Sequence, residues 1–99
     1  MVVIRTAREA PVEAVFAEGC AALGLRSLKL ALRRDAGWPD RLVVLPRGRT
    51  LWAEFKRPGS EGPRPLQEHR MALLTGLGHD VAWFDDAAAA LAALRRRLG

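Results

Sequence analysis

The chain has 99 residues, of which 49% are apolar and 27% are charged, so we expect one globular domain spanning residues 1–99. No apolar run approaches the roughly 20 residues of a membrane span, and the N-terminus lacks the basic-then-apolar order of a signal peptide. These patterns predict a cytoplasmic protein with no membrane partner. The single cysteine, Cys20, excludes an internal disulfide, and the net charge of +5 fits a polyanionic partner such as nucleic acid.

The first third of the chain predicts a helix followed by a strand. Apolar residues recur at helical spacing over Glu9–Leu23, Pro11 suits the first helical turn, and Gly24 suits the end. Alternation then predicts a strand over Leu25–Leu32, with the later leucines on one face and Lys29 on the other.

The middle of the chain predicts a β-hairpin. Its strands are expected over Arg41–Leu45 and Thr50–Lys56, joined by a short segment that contains Gly48. Along the second strand, Trp52, Glu54 and Lys56 alternate onto one face.

The hairpin geometry brings charged residues together. If the turn centres near Arg47 or Gly48, Asp40 lies opposite Glu54 or Phe55, and directly opposed residues are about 5 Å apart. Asp40, Glu54 and Lys56 can therefore converge at one end of the hairpin.

The last third predicts a helix, a strand and a second helix. Pro65 opens the first of these helices, which carries one line of leucines and one of Gln67, Met71 and Leu74, and Gly76 and Gly78 end it. A short apolar strand over Val81–Phe84 follows, and Asp85 or Asp86 caps a helix that runs to Leu98. The order helix, three strands, helix, strand, helix predicts an α/β fold with a central four-stranded mixed sheet.

The carboxylate pair needs a neutralising partner. Two acidic groups at the end of a hairpin repel each other, and a hard divalent cation removes that repulsion. A cation of this kind activates water and stabilises charge on a phosphate, and a nearby lysine assists. Taken singly, an aspartate at a strand start is usually solvated, and a Glu-x-Lys on a strand is usually a surface salt bridge.

The combination of these residues resembles a known family. Pro39-Asp40 with Glu54-Phe55-Lys56 is similar to the signature of the PD-(D/E)xK nuclease superfamily. The wider pattern resembles its VRR-NUC branch, which has a glutamate on a leading helix, a Gly-x-Pro-Asp-Arg element, Glu-x-Lys and a glutamine at the next helix. The matching residues, between Glu9 and Phe84, are Glu13, Gly37-Trp38-Pro39-Asp40-Arg41, Glu54-Phe55-Lys56 and Gln67.

This resemblance implies a nuclease that uses Mg²⁺ or Mn²⁺. Asp40 and Glu54 would be metal ligands, together with the backbone carbonyl of Phe55. Glu13 would lie at the edge of the site and bind metal through water, a role for which Glu9 and Glu18 fit less well.

Two further residues acquire a catalytic role by the same resemblance. Lys56 would be the catalytic lysine, and Gln67 would hold either the nucleophilic water or that lysine.

The tryptophan beside the motif, Trp38, is expected to pack in the core or at an interface. His69 and His79 lack metal-ligand spacing and are expected to be non-catalytic.

The resemblance also implies DNA as the substrate. A stand-alone member of this size, in a bacterial or phage-infected host cell, is expected to resemble Holliday-junction resolvases and to act as a homodimer. The alternatives are a flap or nicking nuclease without junction preference, and a non-catalytic module that binds DNA shape. Basic residues expected to contact DNA, against the alternative of a solvated basic face, are Lys29, Arg33, Arg34, Arg41, Arg57 and Arg64.

Overall fold

The computed structural model describes residues 11–32 and 34–99, and its seven elements follow the predicted order. They are α1 (Val12–Ala22), β1 (Arg26–Lys29), β2 (Arg41–Val44), β3 (Thr50–Phe55), α2 (Pro65–Gly76), β4 (Asp80–Phe84) and α3 (Ala87–Leu98). The start of the predicted first helix, at Glu9, lies outside the described residues. None of the helices described here is long and apolar enough to cross a membrane.

The four strands form one mixed sheet in the order β1-β2-β3-β4. The pairs β1–β2 and β2–β3 are antiparallel, and β4 runs parallel to β3. Strands β3 and β4 can run parallel because helix α2 connects them. The helix returns the chain to the end of the sheet at which β3 begins. The carboxyl ends of β3 and β4 therefore meet at one edge, together with the start of β2.

The hairpin turn fixes the register of β2 and β3. Arg47 and Gly48 both adopt positive φ angles, of 64° and 72°, which reverse the chain within three residues. Arg41 consequently pairs with Ala53. Asp40 thus comes opposite Glu54, which is one of the two predicted alternatives.

The apolar core lies on the face of the sheet that α1 and α3 cover. Its centre joins Phe16 and Cys20 of α1 to Leu51 of β3 and Leu94 of α3, all of them fully buried. Cys20 packs in this core, and burial raises the pKa of its thiol. Helix α3 is capped by Asp86, whose carboxylate accepts the N–H of Ala89 at 2.8 Å.

The exposure of the leucines differs from the simplest interpretation of the sequence pattern. Strand β1 is shorter than predicted, and Leu28 is 48% exposed because it lies on the side of the sheet opposite α1 and α3, where α2 packs on β4. In α2 the leucine line is also exposed, and the neighbouring line with Leu74 faces the sheet. Helix α2 contacts β4, so Glu54 and Gln67 share the side opposite the main core.

Candidate active site

The candidate site is built around Glu54, near the carboxyl end of β3. Glu54 is 2% exposed and is the one charged residue in the described ranges that is fully buried. It follows the core residue Ala53, so strand alternation directs its side chain to the opposite face, beneath the start of α2. A carboxylate in such a position needs hydrogen-bond donors or a cation.

Asp40 meets Glu54 at a single backbone amide. Pro39 is fully buried before it, and the carbonyl of Asp40 accepts the N–H of Leu30 at 2.8 Å, which anchors this segment to β1. The N–H of Phe55 donates to Asp40 Oδ2 at 2.9 Å and, less directly, to Glu54 Oε1 at 3.3 Å. Two carboxylates are thereby held against one another at the end of the hairpin.

Gln67 connects the buried carboxylate to the lysine. Its Nε2 donates to Glu54 Oε2 at 2.6 Å, and its Oε1 accepts from Lys56 Nζ at 2.6 Å. The same Oε1 accepts the N–H of Arg64 at 2.8 Å, which caps the first turn of α2 and fixes the amide orientation. The helix start thus sets the relative position of Glu54 and Lys56.

The electrostatics of the pair favour a bound cation. The pKa of the Glu54 carboxyl is raised to about 8 from an ordinary value of 4.5, chiefly by burial and then by the hydrogen bond and negative charge of Asp40. The positive charge of Lys56 and the N–H of Phe55 act in the opposite direction. Without a cation, Glu54 therefore keeps a proton near neutral pH.

The donor set at this position fits a hard divalent metal. In an extended strand the carbonyl of a residue points to the same side as its N–H, so the Phe55 carbonyl faces the side of Asp40. The site then offers two carboxylates and one carbonyl oxygen, which suits Mg²⁺ or Mn²⁺ with water and phosphate as further ligands. Across the described residues there is no cluster of three or more His, Cys, Asp or Glu side chains with metal-binding geometry.

Glu13 is engaged in a separate ion-pair cluster. Its Oε2 accepts from Lys29 Nζ at 2.5 Å and from Arg41 Nε at 2.8 Å. Arg41 also donates to the hydroxyl of Ser27 at 3.2 Å, so the cluster ties α1 to β1 and β2. Within the described ranges, no hydrogen bond links Glu13 to the carboxylate pair or to Gln67.

Among the basic residues predicted to contact DNA, some form ion pairs within the protein and others are exposed. Lys29 and Arg41 are held by Glu13, although Lys29 remains 52% exposed. Arg34, Arg57 and Arg64 are exposed, and the last two flank the loop between β3 and α2. Arg33 lies outside the described residues.

Trp38 and His79, for which no catalytic role was predicted, contact other side chains. Trp38 lies under the guanidinium of Arg70, 5.0 Å from its ring centroid, in agreement with a packing role. His79 contacts Trp52 edge-on, at 5.8 Å between ring centroids.

Trp83, which the sequence pattern did not single out, pairs with Glu54 in the β3–β4 ladder. Its position depends on strand pairing across a helix, and no local signal in the sequence indicates that pairing.

A cavity in the protein surface lies away from the two carboxylates. A cavity of about 380 Å³ lies at the other end of β3, between Thr50 and Asp80, and neither carboxylate lines it.

Comparison with known proteins relates the chain to nucleases. It is 37% identical over 82 residues to "Putative nuclease p44" of Acyrthosiphon pisum secondary endosymbiont phage 1, a match that covers 83% of this chain and 87% of that protein. A solved structure described as "VRR_NUC domain" superposes with a TM-score of 0.77 at 27% identity, over 85% of this chain and 90% of the other. A second, "VRR_NUC domain protein", shares the fold at 17% identity, with a TM-score of 0.67 and 91% of each chain covered. No protein-family model matches the sequence.

Proposed function

Because this chain belongs to the VRR-NUC branch of the PD-(D/E)xK nucleases, we propose that it is a divalent-metal-dependent endonuclease that hydrolyses phosphodiester bonds in branched DNA. The observation that carries the proposal is the array Asp40–Glu54–Gln67–Lys56, in which the Phe55 N–H joins the two carboxylates and one glutamine joins Glu54 to the lysine. The nuclease relative from a phage supports DNA as the substrate and a bacterial or infected-cell setting.

In this proposal some residues of the site would bind the metal, and others would position the substrate, the water or a neighbouring side chain. Asp40, Glu54 and the carbonyl of Phe55 would hold Mg²⁺ or Mn²⁺, which when bound supplies Lewis-acid stabilisation of the phosphate and lowers the pKa of a water. Lys56 Nζ presents its remaining N–H donors to a phosphate oxygen or to the attacking water. Gln67 keeps that amine in position and holds the Glu54 carboxyl from its other side.

The proposal includes a homodimer acting on four-way junctions. A junction has two-fold symmetry, and paired cuts require two opposed sites, which a symmetric dimer supplies. The large apolar side chains that stay exposed are the candidates for the dimer interface. They include Leu28, Leu66, Leu73 and Leu77.

The test is cleavage of end-labelled four-way junction, flap, linear duplex and single-stranded DNA with Mg²⁺, Mn²⁺ or EDTA. The expected result is paired cuts in the junction that require metal, with a dimer seen by sedimentation equilibrium at working concentration. Preferential cutting of flaps or nicks would replace the junction preference and leave a nuclease. Junction binding with no cut in either metal would reduce the protein to a DNA-shape-binding module.

A further inference from the structure

Trp83 lies beside the candidate site on the same face of the sheet. In the parallel β3–β4 ladder Trp83 is the partner of Glu54, and paired residues on adjacent strands point to the same side, about 4.8 Å apart. The next residue, Phe84, points to the opposite face and is buried in the core with Phe16. This alternation directs the indole of Trp83 to the face that carries Glu54 and Gln67.

The indole is only partly covered. Trp83, the last residue but one of the edge strand β4, is 39% exposed. Its six-membered ring packs against Gly62, where an added Cβ would lie 3.3 Å from Trp83 Cζ2. Among the described residues, Trp38 and Trp52 differ, because their indole N–H groups are buried without a partner.

The loop that packs against Trp83 through Gly62 has an arginine near each end. The loop that covers one side of Trp83 begins with Arg57 and ends with Arg64, and both are exposed. Lys56 follows β3 directly, and its backbone N–H donates to the carbonyl of Phe84 at 2.8 Å, which ties the lysine segment to the end of β4. Sites for unpaired nucleotides combine an aromatic ring, on which a base stacks, with cationic side chains that pair with phosphates, and this segment of the chain supplies both residue types.

We propose that Trp83 is the stacking platform for one unpaired base beside the scissile phosphate, and that it gives the enzyme its preference for branched over continuous duplex DNA. The inference rests on the proposed nuclease function. Bases within an intact duplex stack on each other and do not present a free face, whereas a base at a branch point is easily splayed out. Trp83 is thus a specificity-determining residue, and Lys56 and the carboxylates remain the catalytic ones.

The test combines two substitutions with abasic substrates. Trp83→Leu keeps an apolar group against Gly62 and removes the aromatic face, and Trp83→Phe retains a smaller one. Affinity for the junction, measured by fluorescence anisotropy in EDTA, is expected to fall about tenfold in Trp83→Leu and less than threefold in Trp83→Phe. Leu23→Ala is the matched control, because Leu23 is also 39% exposed and lies at the end of α1.

An abasic scan of the branch identifies the stacked base. At one position, removal of the base is expected to weaken wild-type binding about tenfold and to abolish the difference between wild type and Trp83→Leu. A constant difference at every position, no difference at all, or a change in sedimentation of Trp83→Leu would overturn the proposal. Because binding in EDTA is measured without cleavage, a failure of the nuclease assay does not affect this result.

Discussion

Gln67 is the single residue on which the geometry of the candidate site depends most. It contacts Glu54 and Lys56 with the two ends of one amide, and its orientation is fixed by the N–H of Arg64. An amide is required here because one partner needs a donor and the other needs an acceptor.

Replacement of Gln67 with alanine tests this coupling. We expect Gln67→Ala to lower the cleavage rate about 10- to 100-fold, because hydrogen-bond partners of a ligand carboxylate typically contribute that much to activity. Single-turnover kinetics at saturating DNA measure the effect. Glu68→Ala, at the next and exposed position of the same helical turn, is the control and should retain the wild-type rate. Equal cleavage rates in Gln67→Ala and Glu68→Ala would show that Gln67 does not contribute to catalysis.

Glu54 predicts a pH-dependent stability in the absence of metal. Its pKa in the folded protein is about 8, above the ordinary 4.5, so the folded state holds a proton that the unfolded chain releases. The free energy of unfolding in EDTA should therefore decrease as pH rises from about 4.5 to about 8, with a slope of at most about 1.4 kcal/mol per pH unit. Urea denaturation at pH 5.5, 6.5 and 7.5 measures this slope.

Two comparisons identify Glu54 as the origin of that slope. Glu54→Gln carries no titrating proton and should flatten the profile, and Mn²⁺ should flatten it in the wild type by replacing the proton. A slope that persists in Glu54→Gln would assign the effect to other groups.

At the scale of elements, order and type could be predicted from the sequence, but the exposure of each face could not. Proline, glycine and apolar spacing indicated every helix and strand, and the short turn indicated which strands pair. Alternation in β1 identified a strand with a leucine face, yet Leu28 on that face is exposed because α1 packs on the other side of β1 and α2 packs on β4. Which helix covers which strand depends on packing across the whole chain.

The positions of the site residues could likewise be predicted only in part. Asp40 and Glu54 could be placed together because a hairpin is a local structure with a countable register. The ion pairs of Glu13 and the position of Trp83 could not, because they depend on contacts between elements far apart in the sequence.

The contact between the loop before Asp40 and helix α2 gives a prediction at this scale. Gly37 has a φ of 89°, and an added Cβ would lie 2.6 Å from Cγ of Leu66 in the first turn of α2. We expect Gly37→Ala to lower stability by about 2–4 kcal/mol, because alanine is strained at this φ and because either the Leu66 side chain or the helical turn that carries it must move. Activity should fall as well, since Gln67 lies on that turn.

The control for this substitution is Gly24→Ala. Gly24 has a similar φ of 74°, but a Cβ there would have no neighbour within 4 Å. It should cost only about 1 kcal/mol of backbone strain, measured by urea denaturation. Equal losses in the two variants would show that the contact with Leu66 has no role.

For the whole molecule, the distribution of positive charge predicts a salt-dependent affinity for DNA. Arg57 and Arg64 are exposed beside the site, so each is expected to contact one phosphate. Arg57→Ala should lower the slope of log affinity against log salt concentration by about 0.9, the value for one lost phosphate contact. Arg95→Ala, an exposed arginine on α3, should leave the slope unchanged. Equal slopes for all three proteins would place the DNA elsewhere.

The most direct test of the account is the single-turnover rate of junction cleavage in Mn²⁺ for wild type and Lys56→Met, with junction affinity measured in parallel. Methionine fills the volume of the lysine stem and removes the amine that Gln67 holds. If the array of Asp40, Glu54, Lys56 and Gln67 is the active site, the rate falls at least about 100-fold while affinity stays within a few fold. An unchanged rate in Lys56→Met would place the chemistry at another site and contradict the account.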